Sequence, residues 1–273
     1  MGDTQKLSPE EQIATAREAY DAGTDFTLAV EEEFAILDPE TLELTNRFEE
    51  LQAAAVGTPL EELAGSLGAV LGSIGTHPWS RWQDQRIIDT PHYRRNDELL
   101  RYVVWRNNTF GLHVHVGIRG ADRAVAVCNG LRNYLPELLA VSGSSPFVEG
   151  VFTHLHSART EIFTRMFPRC GVPDAYEGWR GFEDYVRFLY DTGSIGEHTQ
   201  LWWSVRPHLA FPTVEIRICD AQPDVEEARS LAALCYSLAA RIARQKFSSI
   251  SRCGWSGTGS PSSTARAIRA ASE

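Results

Sequence analysis

The chain has 273 residues, with 36 acidic against 26 basic side chains and a formal net charge of −10. Hydrophobic residues make up 43% and charged residues 23%, enough to bury a sizeable core in one large or two small domains. No run approaches the roughly 20 apolar residues of a membrane helix, and the acidic balance argues against nucleic acid as a partner.

In chain order, residues 1–24 read as a polar lead-in with one loosely held helix, and MGDTQKLSPEEQ lacks the basic-then-apolar pattern of a signal peptide. FTLAVEEEFAIL (26–37) is rich in β-formers and closes at the Asp38-Pro39 turn. Residues 46–64 and 92–108 read as helices. FGLHVHVGI (110–118) alternates cleanly and is the clearest strand. Asp122 is placed as the cap of a helix running to about Leu135, a further helix starts near Pro136, and 182–190 suits a short helix. TQLWWSVRPH (199–208) and PTVEIRICD (212–220) read as two antiparallel strands turning at Leu209–Pro212. Asp224 and Glu227 open a long helix whose apolar stripe includes Leu231, Cys235 and Ile242. Residues 248–273 are Ser/Gly-rich and read as a disordered tail. Strands and helices do not alternate regularly, which predicts an α+β fold in one domain over 25–247. The five cysteines are widely spaced and form no CxxC; they suit a reducing, cytoplasmic setting and read as small buried apolar residues.

Strand periodicity locates the chemistry. Leu112, Val114, Val116 and Ile118 fall on one face of the clearest strand, and His113, His115 and Gly117 on the other. The two imidazoles lie roughly 7 Å apart along the strand. Alone, this H-x-H suits two solvent-facing histidines as well as a ligand pair. Glu215 and Arg217 similarly oppose Val214, Ile216 and Ile218, and alone they equal a surface ion pair worth less than about 1 kcal/mol. Glu31 and Glu33 share a face, while Glu32 falls among Leu28, Val30, Phe34 and Ile36. Three successive carboxylates repel one another in a strand unless an exposed edge solvates them or divalent cations offset the repulsion. Together, three strands each place groups suited to a hard cation or a phosphate on one face. The chain has no GxxxxGK[ST], so no P-loop would hold a nucleotide. His113 and His115 also leave open a Zn²⁺-dependent hydrolase, although no third ligand stands at matching spacing. His77 in GTHPW reads as loop structure, and His92, His154, His156, His198 and His208 as surface or loop residues.

Six motifs, AVEEEF (29–34), GTHPWSRWQDQRI (75–87), YRRNDELLRYVVWRNNTFGLHVHVG (93–117), SARTEIF (157–163), TQLWWSVRPH (199–208) and TVEIRICDAQP (213–223), occur in the order of a known family. Over about residues 24–246 they resemble the carboxylate–amine ligases of the glutamate–cysteine ligase type 2 family. The resemblance implies a fold similar to the catalytic domain of glutamine synthetase. In that fold a curved antiparallel sheet has helices behind it and ATP with Mg²⁺, or Mn²⁺, on its concave face. It also implies a ligase that activates the γ-carboxylate of glutamate as an acyl phosphate and joins it to an amine such as that of cysteine. Carried over by motif, Glu31, Glu33, His113 and Glu215 become metal ligands, and His115, Arg206 and Arg217 contacts to ATP. Glu215 and Arg217 become catalytic groups, and Arg159, Thr160 and Trp203 line the substrate side.

Two departures from the family pattern follow. Between Gly65 and Gly75 the chain omits a strand bearing an acidic metal ligand and the long helix after it. Beyond Arg244 the low-complexity tail replaces an Arg-rich helical segment. The first loss predicts an unpaired sheet edge, which favours a homo-oligomer. A second reading of the shortened chain is a homologue that binds nucleotide or a partner without efficient catalysis.

Overall fold

The computed structural model describes residues 7–245 except 56, 58 and 89, and only the backbone of 92; the tail expected over 248–273 lies outside these residues. Helix α1 (Pro9–Ala22) opens on Ser8, whose side chain forms a reciprocal capping box with Glu11. Its inner residues Ile13, Ala16 and Tyr20 are buried in the main core. The segment expected to lead loosely into the domain is therefore part of its packing. The Tyr20 hydroxyl is shared between the carbonyl oxygens of His208, at 3.2 Å, and Thr213.

The strand expected over 26–37 divides into β1 (Leu28–Glu32) and β2 (Ala35–Leu37). The helix expected over 46–64 also divides, into α2 (Phe48–Ala54) and α3 (Leu60–Ser66), because Pro59 stands at the start of α3. A short strand, β3 (Val70–Gly72), forms between Gly65 and Gly75, carries no acid and pairs with β2 in a separate two-stranded sheet. Leu51, Leu63, Ala64 and Ala69 form a small second core beneath it. The next expected helix breaks at Arg101, whose φ of 48° separates α4 (Pro91–Leu100) from α5 (Tyr102–Trp105).

The remaining elements are β4 (Gly111–Gly117), α6 (Ala121–Leu131), α7 (Leu135–Ser142), the β5 (Phe147–Val148) and β6 (Val151–Phe152) hairpin, α8 (Ala158–Met166) and α9 (Gly178–Asp191), followed by β7 (Val205–Pro207), β8 (Thr213–Asp220) and α10 (Val225–Arg244). Strands β1, β4, β8 and β7, in that order, make an antiparallel sheet that is not closed into a barrel. Helices pack around it, as the α+β reading requires. Val114, Val116, Val214 and Ile216 on the sheet meet Val125 and Leu131 of α6, Trp179 and Phe182 of α9, and Cys235 of α10. The apolar face of the strands is thereby used up, and the opposite face is left polar. Asp122 does not cap α6: it lies in that helix's first turn, and its Oδ1 accepts the Trp179 N–H at 2.7 Å, capping α9 instead. Strand β1 lies at one edge of the sheet, with Leu28 51% and Val30 47% exposed. No helix among the described residues is long and apolar enough to cross a membrane.

Trp179 is fully buried and packs on the rings of Tyr20 and Phe182. Trp179→Ala should lower unfolding free energy by about 3–5 kcal/mol, and Tyr20→Phe by about 1 kcal/mol, both read from urea midpoints at constant slope. A loss below about 1 kcal/mol in Trp179→Ala would contradict the central place given to α9.

Candidate functional site

Antiparallel register assembles the polar face from residues far apart in sequence. Glu31 stands opposite His113 across β1 and β4, His115 opposite Glu215 across β4 and β8, and Glu215 opposite Arg206 across β8 and β7. The β4–β8 register slips between Leu112 and Val114, so that Arg217 and Ile218 together stand opposite His113, an irregularity of the kind found beside functional sites. Gly111 is required for a different reason: a Cβ there would collide with the Arg159 guanidinium.

At the centre, His115 Nε2 lies 3.9 Å from Glu31 Oε2 and 3.8 Å from Glu215 Oε1. Its Nδ1 is 2.9 Å from Thr213 Oγ1, which fixes the ring orientation. His113 Nδ1 approaches Glu31 Oε2 at 3.1 Å. Arg206 Nε donates to Glu215 Oε2 at 2.6 Å, and Arg217 Nη1 donates to Oε1. Burial alone would push the Glu215 carboxyl up, but the Arg217 and Arg206 guanidiniums override it and hold it well below the usual range. The hydrogen bond to His113, with the His115 ring close by, lowers Glu31 in the same sense. Burial and the neighbouring Arg217 push His113 down, so its ring stays neutral. The centre thus presents two carboxylates ionised at neutral pH beside a neutral ring.

The sequence-derived residues are not all equivalent. Glu31, His115 and Glu215 are the trio whose donor atoms lie within 4.8 Å of one another. Two bonds of about 2.1 Å to one ion span up to about 4.2 Å, so this set fits one divalent cation with small closure. Oxygen donors dominate it, which suits Mg²⁺ or Mn²⁺. His113 stands beside the trio. Glu33, expected as a ligand, is exposed, and its Oε2 instead accepts the Gly111 N–H at 2.6 Å. Arg206, expected to touch nucleotide, is buried, with Nε on Glu215 and Nη1 on the carbonyls of Thr199 and Leu201. Its place is to hold Glu215. Arg159, Thr160, Trp203 and Arg217 line a small cavity with Cys170 and Trp202. Arg159 is buried, its Nη1 is 3.6 Å from Asp220 Oδ1, and its Nε has no hydrogen-bond partner among the described residues. Thr160 Oγ1 stands 3.0 Å from Ser157 Oγ, to which it can donate. Trp203 also stacks on Tyr185, so it is as much core as wall.

Two features escape the sequence reading. Asp220 is fully buried and accepts from Ser144 N–H, Ser145 Oγ and Ser157 Oγ at 2.6–3.0 Å, tying α8 to the end of β8. Plain alternation puts it with Ile216 and Ile218, but the β4–β8 register slip pairs it instead with Gly111 on the polar side, where it finds these partners. His208, expected at the surface or in a loop, does lie in a loop but is buried, and its Nδ1 accepts the N–H groups of Ala210 and Phe211 at 3.1 Å. Burial pushes it down to about 4. His77 behaves as expected of a loop residue, with Nδ1 accepting the Ser80 N–H and Nε2 on the Leu42 carbonyl.

The family model of Glutamate-cysteine ligase family 2 matches residues 6–267. Among curated proteins, one from Rubrobacter xylanophilus, provisionally named glutamate–cysteine ligase 2-2, is 37% identical over 251 residues, covering 80% of this chain and 65% of its own length. A Solibacter usitatus protein provisionally named glutamate–cysteine ligase 2 is 42% identical over 174 residues, covering 64% of this chain and 45% of its own. Another so named, from Gloeobacter violaceus, is 35% identical over 263 residues, 82% of this chain and 70% of its own. The matched part of the chain thus spans roughly half to two thirds of the first two relatives. By the extent of these matches, the chain belongs to Glutamate-cysteine ligase family 2.

Proposed function

We propose that the chain is an ATP- and divalent-cation-dependent carboxylate–amine ligase, joining the γ-carboxylate of glutamate to an amine such as cysteine in the cytoplasm. The observation that carries this reading is the meeting of Glu31, His115 and Glu215 beside Arg217 on one sheet face. Mg²⁺ or Mn²⁺ held by that trio would neutralise triphosphate charge. Arg217, 15% exposed, is fixed by Glu215 where it can stabilise charge on the transferring γ-phosphoryl group. A substrate carboxylate oxygen attacks the γ-phosphorus and ADP leaves, giving an acyl phosphate. The amine nitrogen then attacks the acyl carbon, loses a proton, and phosphate departs with the bonding electron pair. Arg159 and Thr160, with Trp202 and Trp203 as walls, favour the adjoining cavity as the carboxylate side of the substrate. The trio's single imidazole favours this reading over a zinc hydrolase.

Glu31 is half-exposed, so its removal should leave the fold intact. In calorimetric titration of the full chain with Mn²⁺, Glu31→Gln should bind at least about tenfold more weakly with an unchanged melting temperature. Equal affinity would remove Glu31 from the cation site. With glutamate, cysteine, ATP and Mg²⁺, Arg217→Lys should lower kcat for phosphate release by about 10²–10³ while the KM for ATP changes little. An unaltered kcat would contradict the role given to Arg217. Stabilisation by ATP–Mg²⁺ without phosphate release from the native chain would instead mark a nucleotide-binding homologue.

A further inference from the structure

The polar face has two unlike ends. From Glu215, β8 runs toward Arg217 and the arginine-lined cavity in one direction and toward Thr213 and the 208–212 turn in the other. Thr213 and Arg217 are roughly 13 Å apart along the strand. The turn carries no charged side chain; it carries stacked rings. Phe211 lies face to face with His208, with centroids 4.9 Å apart and planes inclined by 18°. His115, the imidazole of the cation trio, meets both rings edge-on, at 5.4 Å from His208 and 6.4 Å from Phe211. Phe211 nevertheless remains 59% exposed: one ring face is covered by His208 and the rest is open.

A large aromatic side chain left uncovered at a turn gains nothing for folding from its exposed face. This one is also held rigidly. His208 Nδ1 accepts the Phe211 and Ala210 N–H groups, the His208 N–H bonds the Thr213 carbonyl at 2.9 Å, and the Tyr20 hydroxyl anchors the His208 and Thr213 carbonyls from beneath. A rigid ring with an open face beside a phosphate-suited cation site is the arrangement that a nucleobase can stack upon.

We infer that Phe211, backed by His208, is the base platform of the site: the triphosphate of a purine nucleotide lies over Glu31, His115 and Glu215, and its base stacks on the exposed face of Phe211. The inference rests on the nucleotide reading above and adds where the base goes. It also fixes polarity, with nucleotide entering from the 208–212 turn and the carboxylate substrate occupying the opposite, arginine-lined end.

The test compares ATP with inorganic tripolyphosphate, each titrated calorimetrically with Mg²⁺ into the full chain, native and Phe211→Ala. The native chain should bind ATP more tightly than tripolyphosphate. Phe211→Ala should weaken ATP binding about tenfold or more, since stacking of one base on an aromatic ring has that order of effect. Tripolyphosphate affinity and melting temperature should be unchanged, and Phe211→Tyr should retain ATP binding. Unchanged ATP affinity in Phe211→Ala, or equal weakening of both probes, overturns the platform while leaving the nucleotide reading standing. A native chain that binds neither probe overturns both.

Discussion

The site depends on one buried carboxylate held ionised between two guanidiniums. Glu215 is 1% exposed, and a lone carboxylate at that depth would take up a proton or unfold its surroundings. Arg206 and Arg217 prevent this from opposite sides, one oxygen each. Once Glu215 is fixed as an anion, the neighbouring groups acquire their places. His115 stands between it and Glu31, and Arg217 stays on the open face with its charge only partly compensated. Glu31, His115 and Glu215 keep their mutual geometry because that anion cannot move away.

The rest of the fold serves this arrangement. The apolar side of β4 and β8 is filled by α6, α9 and α10, which leaves the sheet only one face for polar chemistry. Helix α1 braces the turn after β7 through Tyr20, and Asp220 ties α8 and its Arg159 to the far end of β8. Both ends of the functional face are therefore anchored by buried hydrogen bonds, while the middle carries the charge. The weakest margin is β1. It supplies Glu31 yet lies at the sheet's edge with two half-exposed aliphatic residues.

Much of this was legible in the residues. Alternation in 111–117 and 213–217 separated the packed face from the polar one and put His113, His115, Glu215 and Arg217 on one side, because strand period is set by backbone geometry. Beyond Arg217 the register slip carries Cys219 into the core, which alternation does not foresee. What alternation cannot tell is which of two like-facing neighbours reaches the centre. Glu33 and Glu31 share parity, yet Glu33 turns to the Gly111 amide, since β1 ends at Glu32 and the chain bends before β2. Arg206 was legible as part of the site but not as a support, because besides Glu215 its partners are backbone carbonyls of Thr199 and Leu201, which no strand period brings to it. His208 and Phe211 lay in a turn, where no periodicity speaks, and only the folded contacts bring them to His115. Helix α1 read as loose because its polar face dominates its composition, whereas three inward residues suffice to dock it.

The most direct test of the account is anomalous diffraction at the manganese edge from crystals of the full chain soaked with Mn²⁺. The account predicts a peak bounded by Glu31, His115 and Glu215, with ligand oxygens at about 2.1–2.2 Å. Manganese bound elsewhere, with none of those three side chains within bonding distance of it, would contradict it.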